Sequence, residues 1–160
     1  MSSFHPSPEV EICILDKRLL EWGIPRYQSE MAAAIDLFAC ISEPVTLAAG
    51  SSAMLVPAGF SLFLRNPHLA AMVLPRSGLG HRSGLVLGNL VGLIDADYQG
   101  PVMVSVWNRN GEGSVPVTIM PGDRLAQMIF VPVVRPVFSV VESFSEKTER
   151  GSGGFGSTGV

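Results

Sequence analysis

Residues 85–107 read LVLGNLVGLIDADYQGPVMVSVW, and the architecture of the chain turns on how that stretch is divided. Two apolar runs rich in β-formers flank the polar segment Asp95, Ala96, Asp97, Tyr98, Gln99 and Gly100. The first run ends at Ile94 and the second starts at Pro101, which predicts a hairpin. Gly88 and Gly92 in the first arm leave backbone N–H and C=O groups bare, since glycine lets another molecule approach the backbone closely. Flat polar ligands suit such a surface. Asp95, where strand gives way to turn, is a candidate general base, and Tyr98 could stack on a sugar or ring. Each also has an ordinary use: aspartate belongs in turns, and a turn tyrosine covers the edge of a core.

On either side of this stretch the pattern remains that of short strands. Residues 45–74 are short apolar runs cut by Gly50, Pro57, Gly59 and the pair Asn66, Pro67, spaced as in an all-β sandwich. Strands are expected at 10–15, around Asp36 in 32–39, at 117–120, at 125–134 and, as the last core strand, at 136–141. Residues 17–27, broken by Gly23 and Pro25, read as irregular. Asp36 falls in a turn or at a strand edge, and Asp123 and Arg124 read as a structural ion pair. The first eight residues form a polar, proline-containing lead that is expected to be loose.

The totals set outer bounds. At 160 residues the chain fits one domain with a real core. Charged residues are 16% of it, against about 25% in typical soluble domains, while apolar residues reach 47%; part of that surplus is expected to lie between subunits of a homo-oligomer. A net charge of −3 gives no basic footprint for nucleic acid. An anionic ligand would therefore need locally gathered arginines or a metal. Cys13 and Cys40 stand far apart without a CxxC pair, so two buried free thiols are expected rather than zinc or a disulfide. Residues 1–12 lack the pattern of a signal peptide and no run approaches a membrane span, so a cytoplasmic protein is expected.

Three further segments carry polar side chains in suggestive places. PRSGLG, from Pro75, has the form of an extended arginine followed by a serine N-cap, and exposed N–H groups at such an end attract phosphate, as does the forked guanidinium of Arg76; a capped surface turn accounts for it equally well. Gln127 is the polar exception within an apolar strand, so it either ties backbone groups together or points at a ligand. The tail, RGSGGFGSTG from Arg150, would pass for a linker but for Arg150 and Phe155, around which glycine N–H groups could wrap a phosphate while the ring meets a base.

In order along the sequence, AAIDLFA around Asp36, PRSGLG, NLVGLIDADYQG, GDRLAQ from Gly122 and RGSGGFGSTG together resemble the five motifs of the trimeric dUTP pyrophosphatases, bacterial members especially. The resemblance implies an all-β, jelly-roll-like or β-clip-like sandwich assembled as a homotrimer with active sites shared between chains. It implies a catalytic domain over residues 1–144 and a flexible tail over 145–160 that closes on the site. The activity it implies is Mg2+-dependent hydrolysis of dUTP to dUMP and diphosphate, which limits uracil in DNA and supplies dUMP for thymidylate synthesis. On that likeness Asp95 deprotonates the attacking water and Tyr98 packs on deoxyribose. Asn89, the backbone of Leu93, Ile94 and Asp95, and Met103 hold uracil, while Arg76, Ser77, Gly78 and Gln127 take phosphates. Asp36 reaches magnesium through water only, and Arg150 and Phe155 close the tail over the nucleotide. No nucleic-acid or membrane partner is implied.

The sequence departs from the usual motifs at Ala34, where glycine is common, and at Arg82, where lysine is frequent. A dCTP deaminase is the nearest rival, but that family's catalytic glutamate would fall at Ser105. The other alternative is an idle β-trimer that only binds nucleotides or a protein, for which Asp95 and the tail would be dispensable.

Overall fold

The computed structural model describes residues 8–153. Ten strands and two short helices follow one another as β1 (Glu11–Ile14), α1 (Arg18–Trp22), β2 (Ile35–Phe38), β3 (Val45–Leu47), β4 (Met54–Phe63), β5 (Leu69–Pro75), α2 (Ser77–Arg82), β6 (Leu85–Leu87), β7 (Gly92–Ile94), β8 (Pro101–Asn108), β9 (Val117–Ile119) and β10 (Arg124–Pro132). They form two four-stranded sheets, ordered β1-β4-β8-β6 and β2-β10-β5-β7, and a small β3-β9 pair. All the pairings are antiparallel, and the all-β expectation holds.

Alternation explains how the sheets share one core. On β8, Val102, Val104 and Val106 point inward and are each 1% exposed, while Met103, Ser105 and Trp107 alternate to the outer face. Val56, Ala58 and Phe60 of β4 join them, and Leu37, Ala71, Val73, Ala126 and Met128 close the core from the other sheet. Burying each large apolar side chain contributes roughly 1.5–3 kcal/mol. β4 bends where its register against β8 shifts between Pro57 and Ser61. Gly59 there has φ +82°, and any side chain on it would collide with the Cys40 sulfur, so glycine is required for both backbone and space.

Several expectations need correcting. The run 85–94 is two strands: β6 pairs with β8, Leu87 opposite Val106, whereas β7 crosses to the other sheet and pairs with β5, Gly92 opposite Val73. The break is a tight turn in which the Leu90 N–H donates to Leu87 C=O at 3.2 Å and Leu90 takes φ +64°. Residues 17–27 contain α1, whose start is fixed by the Arg18 N–H donating to Asp16 Oδ1 at 3.0 Å and whose Leu19 is fully buried. Residues 136–141 join no sheet. Pro132 ends β10 and Pro136 lacks a donor; unpaired with any strand of this protomer, Val137, Phe138 and Val140 stand 97%, 88% and 99% exposed. Only Cys40 is a buried thiol, its pKa pushed up to about 11 chiefly by burial; Cys13 lies exposed on edge strand β1. The lead is described only from Pro8 onward, so the expectation for it lies almost wholly outside the described residues. Among the described residues no helix is long and apolar enough to cross a membrane.

Candidate active site

The departure of β7 from β8 opens the wedge that holds the first half of the site. Asn89, Leu93, Ile94, Asp95, Tyr98 and Met103 meet around a cleft of about 220 Å³ whose far wall is Val73. Pockets for whole drug-sized ligands run from roughly 300 to 1,000 Å³, so this one has room for a ring-sized group rather than a whole large ligand. Asp95 sits at its mouth, exposed. The Tyr98 N–H donates to Asp95 C=O at 3.2 Å and the Tyr98 hydroxyl donates to Pro101 C=O at 3.0 Å, which pins the ring across the turn. A Cβ at Gly100 would come within 2.5 Å of that hydroxyl, so the glycine keeps the ring's place clear. At Gly92, opposite Val73 in the same sheet, an added Cβ would lie 3.1 Å from Val73 Cβ.

The second half of the site is a row of side chains across three paired strands. Asp36 of β2 lies opposite Gln127 of β10, which in turn lies opposite Leu74 of β5; residues so paired share a face. β2 is an edge strand of its sheet, and Asp36 lies within it rather than in a turn or at its end. Gln127 Nε2 donates to Pro75 C=O at 3.1 Å, so it ties the backbone together next to Arg76. Asp36 Oδ1 is 3.4 Å from Arg76 Nε and its Oδ2 is 3.2 Å from Arg124 Nη1. Arg124 therefore pairs with Asp36 rather than with Asp123, whose carboxylate accepts the Met120 N–H within its own turn. Ser77 and Gly78 open α2, a helix of six residues whose N-cap is Arg76 with no side-chain cap bond. The serine-cap expectation fails because the helix starts at Ser77 itself, one residue earlier than a Ser77 cap requires, so that the extended Arg76 (ψ 125°) takes the cap position and Ser77 is left exposed.

The two halves share no lining residue within one protomer: the base-sized cleft is bounded by β5, β7 and β8, while Arg76 and Arg124 line a separate cleft of about 360 Å³ beside α2. Arg150 is exposed and closes on its own turn, its Nε donating to Gly153 C=O at 2.8 Å. Phe155 lies outside the described residues. Sequence reasoning missed Arg124 as part of the cluster and Val73 as a wall. The signal for Arg124 was its place in the same short motif as Gln127.

A dUTPase family profile matches residues 20–159. The chain belongs to the dUTPase family. Curated dUTPase relatives named deoxyuridine 5'-triphosphate nucleotidohydrolase include those of Shigella sonnei (54% identical over 152 residues), Escherichia coli (53%) and Glaesserella parasuis (51%), each match covering 94% of this protein and 97% of the relative. Among solved structures, a mutant dUTPase of Staphylococcus bacteriophage 80alpha with dUpNHpp superposes with a TM-score of 0.83 at 22% identity, covering 96% of this protein and all of that one. A mutant dUTPase of phage phi11 of S. aureus, described with a structural Mg(II) ion, gives 0.74 at 20% identity, covering 86% and 99%. At such identities these two structures speak for the dUTPase fold alone.

Proposed function

We infer that this protein hydrolyses dUTP to dUMP and diphosphate, limiting uracil incorporation into DNA and supplying dUMP for thymidylate synthesis. The observation that carries the reading is Asp95, a carboxylate at the mouth of a ring-sized cleft with Tyr98 fixed beside it. Asp95 takes a proton from water as the water oxygen bonds to the innermost phosphorus; the bond from that phosphorus to the bridging oxygen breaks and diphosphate leaves. Backbone groups of Leu93, Ile94 and Asp95, with Asn89, read the uracil edge, and cytosine's exocyclic amine would leave donors unpaired. Met103 packs against the base and Tyr98 against deoxyribose.

Arg76, Ser77, Gly78 and Gln127 take the phosphates, and Arg150 and Phe155 of the tail, residues 145–160, close over them; residues 1–144 form the catalytic domain. Among the described residues no three His, Cys, Asp or Glu side chains are grouped as a metal site. The donor set fits an ion that arrives on the nucleotide's phosphates, as Mg2+ does, with Asp36 reaching it through water. Bound there, Mg2+ would neutralise charge on the triphosphate and fix its geometry.

The same reading makes the enzyme a cytoplasmic homotrimer in which one protomer's base cleft faces another's phosphate row. Three features support it: the two halves of the site occupy separate clefts of one protomer, the outer sheet face exposes Leu55, Met103 and Trp107, and the segment after β10 exposes Val137, Phe138 and Phe144. Apolar surface of that extent calls for cover. Light scattering should return a mass three times that of the 17.0 kDa protomer.

The deciding assay offers dUTP, dTTP, dCTP and UTP with magnesium and scores diphosphate and ammonia. Diphosphate from dUTP alone is expected, with kcat reduced about 10²- to 10⁴-fold in Asp95→Asn and nucleotide affinity retained. Ammonia from dCTP would replace this reading with a deaminase.

A further inference from the structure

Next to the cleft beside α2 lies a smaller cavity of about 260 Å³, and Arg124 is the one residue that lines both. Trp22, Ile24 and Phe38 give the smaller cavity apolar walls, Arg26 and Arg124 give it cations, and no carboxylate lines it. Sites for whole ligands start at roughly 300 Å³, so this one has room for a single large side chain. Its Trp22 wall is set in advance. The Arg18 guanidinium carbon lies 5.4 Å from the centre of that ring, and the bare backbone of Gly122 lies against it, where an added Cβ would come within 3.2 Å. A wall already fixed loses little freedom when something binds to it. Arg26 is exposed and, among the described residues, enters no ion pair.

The chain itself carries an occupant of matching chemistry. Residues 142–149 read ESFSEKTE, three glutamates against one lysine, with Phe144 among them. Phe144 is 90% exposed and continues the apolar run of Val137, Phe138 and Val140, so its own protomer does not seat it. Acid on both sides of an uncovered ring complements an apolar cavity rimmed by arginines. The spacing also fits: Phe144 precedes Arg150 by six residues, at most about 20 Å of extended chain. We propose that this cavity seats Phe144 of a second copy of the chain, and that the anchored segment delivers Arg150 of that copy to the nucleotide's phosphates. What the tail does once delivered rests on the dUTP reading above; the seat itself does not.

Two measurements on the full-length protein test this. Gln28→Cys combined with Ser145→Cys, in a Cys13→Ser background, puts one thiol at the cavity and one beside Phe144. Oxidation with diamide should then join two chains on a non-reducing gel, beyond any linkage in either single-cysteine variant. A disulfide confined to one chain, or none, overturns the seat whatever the enzyme hydrolyses. In steady-state kinetics, Phe144→Ala should raise KM for dUTP about ten- to a hundredfold, with kcat falling less, since the burial of a large apolar side chain is lost; Phe144→Leu should keep most of it. Arg26→Glu changes only an exposed charge, and it keeps the test open should Phe144→Ala fail to assemble. It should raise KM several-fold, and adding Glu146→Arg should restore it. An unchanged KM in Arg26→Glu, or a rise that Glu146→Arg does not reverse, overturns the charge match. If the unaltered protein leaves dUTP intact, the dUTP reading falls and the cross-link alone decides the seat.

Discussion

The two halves of the site are built on opposite principles. The base cleft exists because strands fail to pair: β6 stays with β8, β7 leaves for the other sheet, and the gap between them is walled by Val73, Leu93 and Met103. The phosphate row exists because strands do pair: Asp36 of β2, Gln127 of β10 and Leu74 of β5 lie opposite one another, so that Asp36, Gln127 and the approach to Arg76 fall in line. On the proposed reading one half selects by shape and fixed hydrogen-bonding groups, with a single carboxylate at its mouth. The other gathers charge. Small changes of volume should therefore damage the first, and changes of ionic environment the second.

The sharpest test of the shape-built half is Tyr98. Removing the ring in Tyr98→Ala should cut the preference for dUTP over UTP roughly ten- to a hundredfold in kcat/KM, since room opens where a 2′-hydroxyl would sit. Gly100→Ala should reproduce part of that loss without touching the tyrosine, because the added carbon would come within 2.5 Å of the Tyr98 hydroxyl and the ring must swing aside. Unchanged selectivity in both variants would remove the sugar-sensing role from the ring. The comparison would then rest on the backbone alone.

The sequence made these halves legible to different degrees. Alternation in VMVSVW revealed β8, and the polar interruption at Asp95 placed the turn correctly. It could not show that the run 85–94 serves two sheets, since both parts are equally apolar and the switch is made by Leu90 in a left-handed conformation that its residue type does not advertise. Arg124 was obscured for a related reason. Arg124 and Gln127 are three apart, which on a regular strand sends them to opposite faces. The register shift between Arg124 and Ala126 realigns them, so that Arg124 reaches Asp36, the residue opposite Gln127. Bulges of this kind come from how neighbouring strands fit, which a linear pattern does not record. Residues 136–141 looked like a strand because their apolar content is that of one, but apolar content does not supply a partner, and they pair with none of this protomer's strands.

Ionic strength separates the charge-built half. Raising monovalent salt from about 0.05 to 0.5 M shortens the screening length severalfold, and the exposed faces of Arg76 and Arg124 lie within its reach. KM for dUTP should rise several-fold while the affinity for deoxyuridine, which lacks phosphate, stays level. Parallel weakening of both ligands would mean that salt acts on the fold rather than on the arginine row, and the contrast between the halves would lose its electrostatic basis.

The smallest expected effect concerns what stands behind the phosphate row. Asp16 accepts bonds from the backbone and guanidinium of Arg18, the same guanidinium donates to Ile41 C=O, and its carbon lies 5.4 Å from the centre of the Trp22 ring. That ring covers Gly122, where an added Cβ would lie 3.2 Å away, and Gly122 stands two residues before Arg124. The hydrogen bond from Arg18 holds the Asp16 carboxyl below its ordinary range, against the opposing pull of desolvation. A carboxyl lowered by folding stabilises the native state at pH above the unfolded value, about 3.9, and that contribution fades as pH falls through the folded value. Acidification from about pH 4.5 toward 3 should therefore cost the native protein more in melting temperature than it costs Asp16→Asn, which lacks the ionised pair at every pH. Because the pair is still partly exposed the difference should be about one or two degrees. Superimposable melting curves for the two proteins across that range would show that the pair contributes nothing, and that Trp22 keeps its place over Gly122 by packing alone.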